Sequence, residues 1–468
     1  MSNDEDGDSV AGVEYDFDQE MVKSGILDGR IHSHPDNPAA VAEEIISDWD
    51  GKRVSWRGDF YRYTGTRWEL ENNEDVLREV NNGLRASLYH KIGQDGQPRL
   101  VAWSPNIGRL KNVEMQLHLQ AGRPYRSEPS TGGDYVFLDN GRFNLVTGRL
   151  EPHDPKIFNL HASPFAYDPD AKCPVWDKFI QETFGGDQVR IGTHYRWMAY
   201  ELSGSTALQK AYMLLGEKRS GKGTLAHVSN ALIGEEQVTA MTLRQFGNQF
   251  GMQSLIGKSV CRLNDVRDGG TANGAAVEYL LNIVGGDPVQ IDRKNKDPWV
   301  GQLGVRFFLA SNEEVRLPDA SGAIMSRFYV NRTSGSHYGS EDLSLLDKIL
   351  KNEMPGVLNR VLDYVDVLWE KWPVSAYVED TIRSMEQASQ PLRAWIEDMD
   401  LKTGENYVIP VAEAYSSYRG WASENGYKPM NAATYGRSLR ALLPALTIQR
   451  PKVKGEQVRV YRGLGYEM

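Results

Sequence analysis

Cysteines are few in this sequence, and long apolar runs are missing from it. Cys173 and Cys261 are the two cysteines among 468 residues, too few for a disulfide framework, so we interpret both as packing residues. No run of about 18 apolar residues occurs. The N-terminus, MSNDEDGDSV, has neither the positive start nor the apolar stretch of a signal peptide. We therefore expect a soluble, cytoplasmic protein without a membrane partner.

Positive charge is absent from the first twenty residues, which hold eight acidic residues. This composition is typical of a solvated, disordered tail, which we predict over residues 1–50, with a partner-binding role as the alternative. Because the whole chain carries a net charge of −10, the remainder is close to neutral. That balance argues against a protein that coats nucleic acid with its whole surface, but it is compatible with a basic channel or patch. The eight acids are Asp4, Glu5, Asp6, Asp8, Glu14, Asp16, Asp18 and Glu20.

A phosphate-binding loop is predicted in KAYMLLGEKRSGKGTL, from Lys210 to Leu225, where an apolar run leads into GxxxxGK. The glycines let the chain curl so that backbone N–H groups point at phosphate oxygens, and Lys222 adds a cation for the β and γ phosphates of ATP. The following helix presents its positive end to the same anion. A plain glycine turn between a strand and a helix is the alternative. The predicted ATP-binding residues are Gly216, Glu217, Lys218, Arg219, Ser220, Gly221, Lys222, Gly223 and Thr224.

Polar residues near this loop predict a magnesium site and a water-orienting group. Thr224 supplies a hydroxyl one place later than the common motif, so its contact with Mg²⁺ could be indirect. Asp265 ends an apolar strand in SLIGKSVCRLNDVRDGG, and a carboxylate at such a strand end would hold Mg²⁺ directly or through water. Asn312 ends the next apolar strand, VRFFLASN, and could orient the attacking water or touch the γ-phosphate.

Two basic features follow the loop. The segment GGDPVQIDRKNKDPW, residues 285–299, has alternating apolar and polar residues that lead into a basic tip at Arg293, Lys294 and Lys296. This tip is a candidate contact for the phosphate backbone of DNA, and a solvated turn is the alternative. Arg327 stands between apolar neighbours in AIMSRFYV, where we interpret it as a finger that reaches a neighbouring subunit's γ-phosphate, or else as a structural ion pair.

The elements around this α/β core predict two further domains. Residues 51–200 contain a hairpin at Asp139-Asn140-Gly141 and a helical pattern over 189–203, which indicate a mixed α+β domain. We place the nucleotide-binding core at 201–370. Residues 375–468 give two helices and a hairpin, a pattern that favours a winged-helix domain. Residues 415–468 contain nine Lys or Arg and three acidic residues. This positive balance indicates contact with DNA, or alternatively a basic surface that contacts another subunit.

The order of P-loop, acid-ended strand, basic hairpin and Asn-ended strand resembles the superfamily 3 helicases, the AAA+ branch used by small DNA viruses, phages and plasmids. GKSVCRLNDVRDGG, GGDPVQIDRKNKDPW, FFLASNE and LPDASGAIMSRF are most similar to the helicase part of phage and plasmid primase–helicases of the poxvirus type. LDNGRFNLVTGRLEPHDP and AYDPDAKCPVWDKFI resemble the domain just upstream in that group. The resemblance covers about residues 50 to 370.

This resemblance implies an ATP- and Mg²⁺-dependent, ring-forming DNA helicase in a bacterial host cytoplasm. By it, Lys222 is the Walker A lysine, Asp265 the Walker B acid, Lys294 a pore-loop DNA contact, Asn312 sensor 1 and Arg327 the arginine finger. It also implies hexamers, movement from 3′ to 5′ on single-stranded or forked DNA, and a separate primase or polymerase as a possible partner.

The sequence departs from the family at two places. Many relatives have two adjacent acids at the Walker B strand end, whereas this chain has Asn264-Asp265, so Asp265 or Asp268 could polarise the water. About 200 residues precede the P-loop, which leaves no space for the primase module of several relatives, so we expect no primer synthesis.

Two other functions fit parts of the pattern. A nucleotide kinase is one alternative, since GKGT also occurs in adenylate-kinase loops, although those enzymes lack an Asn-ended strand and a basic C-terminal domain. A DNA-binding replication initiator, whose ATP site acts as an assembly switch, is the other. Stimulation of ATP hydrolysis by single-stranded DNA distinguishes the helicase from the initiator.

Overall fold

The chain divides into two compact units. A computed structural model describes residues 22–25, 27–124, 129–130, 133–263, 274–315, 323–389, 391–425, 427, 429–453 and 456–467. One unit comprises residues 1–130 with 153–161, and the other comprises 131–152 with 162–468. Residues 162–200 therefore belong to the unit of the P-loop, which differs from the predicted boundary at 200. None of the helices in the described residues is long and apolar enough to cross a membrane.

The described residues of the first unit form two three-stranded sheets that are accompanied by helices. The sheets have the strand orders β1-β5-β6 and β2-β3-β4. The strands are β1 Ile31–His32, β2 Arg53–Trp56, β3 Asp59–Tyr63, β4 Trp68–Leu70, β5 Leu88–Ile92 and β6 Pro98–Ala102, and the helices are α1 Pro38–Asp48, α2 Asn73–Arg85 and α3 Ile107–Gln120.

Helix α1 corrects the prediction of a disordered tail up to residue 50. Asn37 caps this helix by accepting a hydrogen bond from the Ala40 amide at 3.3 Å, and a proline follows at the first helical position, where its missing N–H costs nothing. Val41 and Ala42 are fully buried in a core that also contains Val113 of α3. The eight acids of the predicted tail lie outside the described residues.

The second unit begins with an antiparallel meander and continues into a parallel sheet. Its first part contains β7 Tyr135–Leu138, β8 Gly141–Asn144, β9 Arg149–Glu151, α4 Pro174–Thr183, α5 Gln188–Leu202, β10 Ala211–Leu215, α6 Lys222–Ile233, β11 Val238–Met241, β12 Val260–Leu263, α7 Gly274–Gly285, β13 Val289–Arg293 and β14 Lys296–Gly301. It continues with β15 Arg306–Ser311, α8 Ala323–Ser326, β16 Phe328–Arg332, α9 Leu345–Asn352, α10 Met354–Leu362 and α11 Ala376–Ser389. The predicted hairpin at 139–141 and the helix predicted over 189–203 are confirmed.

The central sheet has five parallel strands in the order β11-β12-β15-β10-β16. Every residue of β10 is buried, and successive side chains point to opposite faces of a strand. Met213 and Leu215 accordingly lie in one hydrophobic core, whereas Tyr212 and Leu214 lie in another. Helices cover both faces, as a continuously apolar parallel strand requires. The fold is therefore of the α/β class, as predicted, with a P-loop-like core.

The carboxyl ends of three strands meet at one edge of this sheet. Leu215, the last residue of β10, lies opposite Ser311 of β15 and Arg332 of β16. The residues that follow these strands are therefore neighbours at this edge. In open α/β sheets, ligands bind in the crevice at this edge.

The last part of the second unit is a helical segment with a small antiparallel sheet of order β17-β21-β18. Its elements are α12 Pro391–Asp398, β17 Lys402–Pro410, α13 Val411–Glu424, α14 Ala432–Leu442, β18 Thr447–Gln449, β19 Lys452–Val453, β20 Glu456–Gln457 and β21 Val460–Gly465. Asn431 caps α14 by accepting a hydrogen bond from the Thr434 amide at 2.9 Å. The hydrophobic core of this C-terminal segment includes Trp395, Tyr418 and Tyr435.

Candidate nucleotide-binding site

The loop between β10 and α6 has the backbone of an anion cradle. Gly221, the residue before α6, has a φ of 88°, in the left-handed region. Arg219 also has a positive φ, of 60°, which side chains rarely adopt. These turns bring the chain into the N-terminus of α6, where unpaired backbone N–H groups and the helix dipole favour a negative charge.

Two neighbouring side chains explain why glycine stands at both ends of the loop. A Cβ atom at Gly216 would lie 1.8 Å from Oγ1 of Thr333. A Cβ atom at Gly221 would lie 3.0 Å from the ring of Phe179 in α4. The loop is therefore held between α4 and the end of β16, and a larger residue at either position would displace a buried neighbour.

Lys222 has its amine folded back over the loop. Its Nζ donates to the carbonyl oxygens of Gly216 at 2.7 Å and Glu217 at 2.6 Å, and lies 3.3 Å from Oγ of Ser220. Partial burial lowers the pKa of the Lys222 amine, and the nearby Glu217 carboxylate opposes that shift. All three N–H donors of the ammonium group thus have acceptors on the loop, which hold the cation against it.

Residues 333–341, which we call the clamp segment, run along the outside of the loop. Oγ of Ser336 donates to the Lys218 carbonyl at 2.6 Å, and the His337 amide donates to the Arg219 carbonyl at 3.0 Å. These contacts join positions that are more than a hundred residues apart in sequence. The sequence gives no signal for the clamp segment, since a Ser-, Gly- and His-containing stretch after a strand is typical of an ordinary loop.

A cavity of about 970 Å³ opens beside the loop. The predicted residues Lys222, Thr224 and Asn312 line it, together with Lys178 of α4 and Lys348 of α9. The volume is at the upper end of the range for small-molecule sites, roughly 300–1,000 Å³. The cavity therefore extends from the loop toward α4 and α9.

The predicted residues are brought together only in part. Asn312 directly follows β15, and the amide of Gly216 donates to the Ser311 carbonyl at 3.1 Å, so Asn312 adjoins the loop. Asp265, the candidate metal ligand and Walker B acid, lies outside the described residues, as do Asn264 and Asp268. Within the described part of the chain, no group of three His, Cys, Asp or Glu side chains is arranged to hold a metal ion.

Arg327 lies away from its own loop. Phe328, the next residue, is opposite Ala211 at the start of β10, whereas the P-loop follows the end of that strand, about 13 Å further along at roughly 3.3 Å per residue. The Arg327 guanidinium donates to Oε1 of Gln209 at 3.0 Å. It therefore lies at the opposite edge of the sheet from the loop.

The predicted basic hairpin is present as β13 and β14. Arg293 and Lys296 are opposite each other across its end, and Lys294 is exposed in the turn. In the middle of the hairpin, Ile291 and Trp299 pair with each other and are buried in the core of the sheet. The hairpin is thus anchored through its apolar residues, and Lys294 is exposed at its tip.

A buried polar network that the sequence analysis missed lies beneath the sheet. Glu201 of α5 has a fully buried side chain, and it accepts from Arg262 of β12 at 2.6 Å and from the Trp197 indole at 2.8 Å. Ser229 of α6 also donates to Glu201, and Arg262 donates to Asn230 of the same helix at 2.8 Å. The network therefore fixes the P-loop helix to the strand that leads to Asn264. An arginine within the apolar run VCRL was the available signal.

Three segments of the chain match known protein families. Residues 44–185 match the family described as D5 N terminal like, and residues 214–327 match DUF5906, a family of unknown function. Residues 390–467 match the RFX DNA-binding domain. The second of these segments contains the P-loop, and the first includes α4, which supports the loop.

Solved structures of the NrS-1 C terminal region share the fold. The A form of its apo structure has a TM-score of 0.52 and 14% sequence identity, over 91% of this chain and 99% of that one. Another apo structure, of residues 305–718, has a TM-score of 0.53 and 13% identity over the same shares. At these identities the likeness is one of fold, and it extends over nearly the whole chain.

Proposed function

We propose that the protein is a ring-forming ATP hydrolase that uses single-stranded or forked DNA as its track, a replicative helicase of the superfamily 3 AAA+ type. The observation that carries this proposal is the glycine loop beside Asn312. The Lys222 amine is hydrogen-bonded to this loop, and Lys222 and Asn312 line the same cavity. The match of residues 44–185 to the D5 N terminal like family supports a role in replication of the phage or plasmid type.

The residues at the loop fit ATP and Mg²⁺. Gly216 and Gly221 leave room that a Cβ would fill, and the half-buried ammonium of Lys222 provides the charge for the β and γ phosphates. Thr224, which lines the cavity, and Asp265 are the proposed Mg²⁺ ligands. When bound, the ion would neutralise charge that develops on the phosphates.

Asn312 and Arg327 have separate roles in this proposal. Asn312, which lines the cavity, orients the attacking water or contacts the γ-phosphate. Arg327 acts in trans, because its position at the far edge of the sheet keeps it from the phosphates of its own subunit. A trans finger stabilises negative charge in the transition state of a neighbour, so a closed oligomer, proposed to be a hexamer, is the active form.

DNA contacts are proposed at two places. The basic tip at Arg293, Lys294 and Lys296 would contact the phosphate backbone regardless of sequence. The C-terminal segment, which we interpret as a winged helix, adds a second contact, supported by its helix–strand–helix–helix–hairpin order and its match to the RFX DNA-binding domain. We also propose a separate primase or polymerase as a partner.

Steady-state ATP hydrolysis, measured with and without single-stranded DNA, tests the proposal. We expect Mg²⁺-dependent hydrolysis that DNA stimulates and that Lys222→Ala abolishes, because this variant loses the ammonium group assigned to the β and γ phosphates. Hydrolysis that DNA leaves unchanged favours the initiator with an ATP switch. Phosphate transfer from ATP to a nucleoside monophosphate favours the kinase. Lys222→Ala protein that is folded and still hydrolyses ATP at the wild-type rate contradicts the P-loop assignment.

A further inference from the structure

The clamp segment begins with a hydroxyl that is placed directly against the phosphate cradle. Thr333 and Ser220 are buried, with 3% and 1% of their surfaces exposed. Their hydroxyl oxygens are 2.7 Å apart, across 113 positions of sequence. Hydroxyl hydrogens rotate to suit their surroundings, so this short contact fixes the Ser220 side chain within the loop.

Ser220 in turn contacts the cation of the cradle. Its Oγ is the one side-chain oxygen among the three acceptors of the Lys222 amine, at 3.3 Å, and the other two are carbonyls of the loop backbone. A side chain can rotate, whereas the carbonyls are set by the backbone. The Ser220 oxygen therefore stays in place for Lys222 only while Thr333 holds it.

The backbone of Thr333 is held as firmly as its side chain. Its amide donates to the carbonyl of Leu215 at 2.9 Å, and the next amide, of Ser334, donates to the Thr183 carbonyl at the end of α4 at 2.7 Å. Thr333 is thereby tied to the P-loop strand and to α4 at once. A residue fixed in this way can impose its geometry on Ser220 instead of yielding to it.

We propose that Thr333 is a positioning residue for ATP hydrolysis, acting through the Ser220 hydroxyl to set the orientation of Lys222. The inference rests on the proposed hydrolysis at this loop and adds a residue from the clamp segment to it. Thr333 does not touch the phosphates itself. Its effect is to keep the lysine directed at the cradle when charge develops on the transferred phosphoryl group.

Isosteric variants test this role. Thr333→Val keeps the shape and removes the hydroxyl, and we expect kcat for ATP hydrolysis to fall about tenfold, the effect of one lost hydrogen bond of about 1.4 kcal/mol. KM for ATP should change less than about twofold, because the interaction is needed in the transition state more than in the ground state. Thr333→Ser retains the hydroxyl and should restore kcat to within about twofold of wild type.

A matched control separates positioning from general stability. Thr193→Val also removes a buried hydroxyl, one that donates to the Val189 carbonyl at 2.8 Å within α5. Its melting temperature should fall about as much as that of Thr333→Val, while its kcat stays at the wild-type value. If both valine variants lower kcat equally, or if Thr333→Ser loses as much kcat as Thr333→Val, the positioning role is wrong.

A double-mutant cycle tests the contact between the Thr333 and Ser220 hydroxyls by changing Ser220 as well. Ser220→Ala should lower kcat at least as much as Thr333→Val, because it also removes an acceptor of the Lys222 amine. The double variant should lose no more than Ser220→Ala alone, since Thr333 acts through the Ser220 hydroxyl. If the kcat losses of the two single variants multiply in the double variant, the proposal is wrong. If Thr333→Val does not fold, the same cycle with Thr333→Ala gives the same test. A wild-type protein without ATP hydrolysis would instead refute the proposed function, so the two failures are distinguishable.

Discussion

Gly216→Ala should destabilise the protein because the space beside this residue is already occupied. The new Cβ would lie 1.8 Å from Oγ1 of Thr333 and 2.9 Å from Oγ of Ser220, and real Cβ atoms do not approach heavy atoms below 3.0 Å. Since Thr333 is fixed by its own backbone hydrogen bond, relief requires a shift of the loop or of β16. Overpacking of this kind costs about 1–3 kcal/mol.

Gly223→Ala provides the matched control in the same loop. A Cβ at Gly223 meets no atom within 4 Å, and the residue lies in the first turn of α6. The same chemical change should therefore stabilise the fold, by about 0.4–1 kcal/mol, because alanine loses less backbone entropy than glycine.

Thermal unfolding of the two variants measures the difference. At roughly 2–4 °C per kcal/mol for domains of this size, Gly216→Ala should melt roughly 2–12 °C below wild type, and Gly223→Ala slightly above it. Gly216→Ala should also lose nucleotide binding, because any relief moves the cradle. A Gly216→Ala protein that melts at the wild-type temperature and binds nucleotide normally would refute the close approach of Thr333.

Arg327→Ala should bind nucleotide but lose ATP turnover, by roughly 10³–10⁵ in rate for a finger that acts in trans. Mixing Arg327→Ala subunits with Lys222→Ala subunits should restore some hydrolysis. Mixed subunits that assemble together without recovering hydrolysis would contradict the trans role. Lys294→Ala should keep basal ATP hydrolysis yet lose unwinding. Its affinity for DNA should depend less steeply on salt concentration, by the contribution of about one charge. Unwinding by the variant at the wild-type rate would contradict the contact with DNA. Arg262→Met should lose about 3–5 kcal/mol of stability, because it leaves the buried Glu201 carboxylate without its positive partner. Glu201→Leu with Arg262→Met together should recover part of this loss, since Trp197 and Ser229 then lose their acceptor. Denaturant unfolding compares the two, and equal losses would contradict the pairing.

The parts of the fold that follow from local pattern were predictable. An apolar run followed by GxxxxGK located β10, the P-loop and α6, because the strand is buried on both faces and glycine is needed where the backbone turns. The Asn312 strand and the hairpin at 289–301 followed from the same reasoning. The roles of Asp265, Asn312 and Arg327 stay predictions, and Asp265 lies outside the described residues.

The remaining features depend on contacts that no local pattern contains. Thr333 and Ser220 are 113 positions apart, and Glu201 and Arg262 are 61 apart, so only the folded sheet brings each pair together. The extent of the tail was missed for a different reason. The acidic composition of the first twenty residues was extended to residue 50, although Asn37 before a proline and the spacing of Val41 and Ile45 indicate a capped, amphipathic helix.

Strand displacement on forked DNA tests the central claim most directly. Wild-type protein with ATP and Mg²⁺ should separate forks that carry a 3′ tail faster than forks that carry a 5′ tail, and folded Lys222→Ala protein should separate neither. Displacement by wild type that requires no ATP hydrolysis, or ATP hydrolysis that never leads to displacement on any fork, would contradict the helicase account.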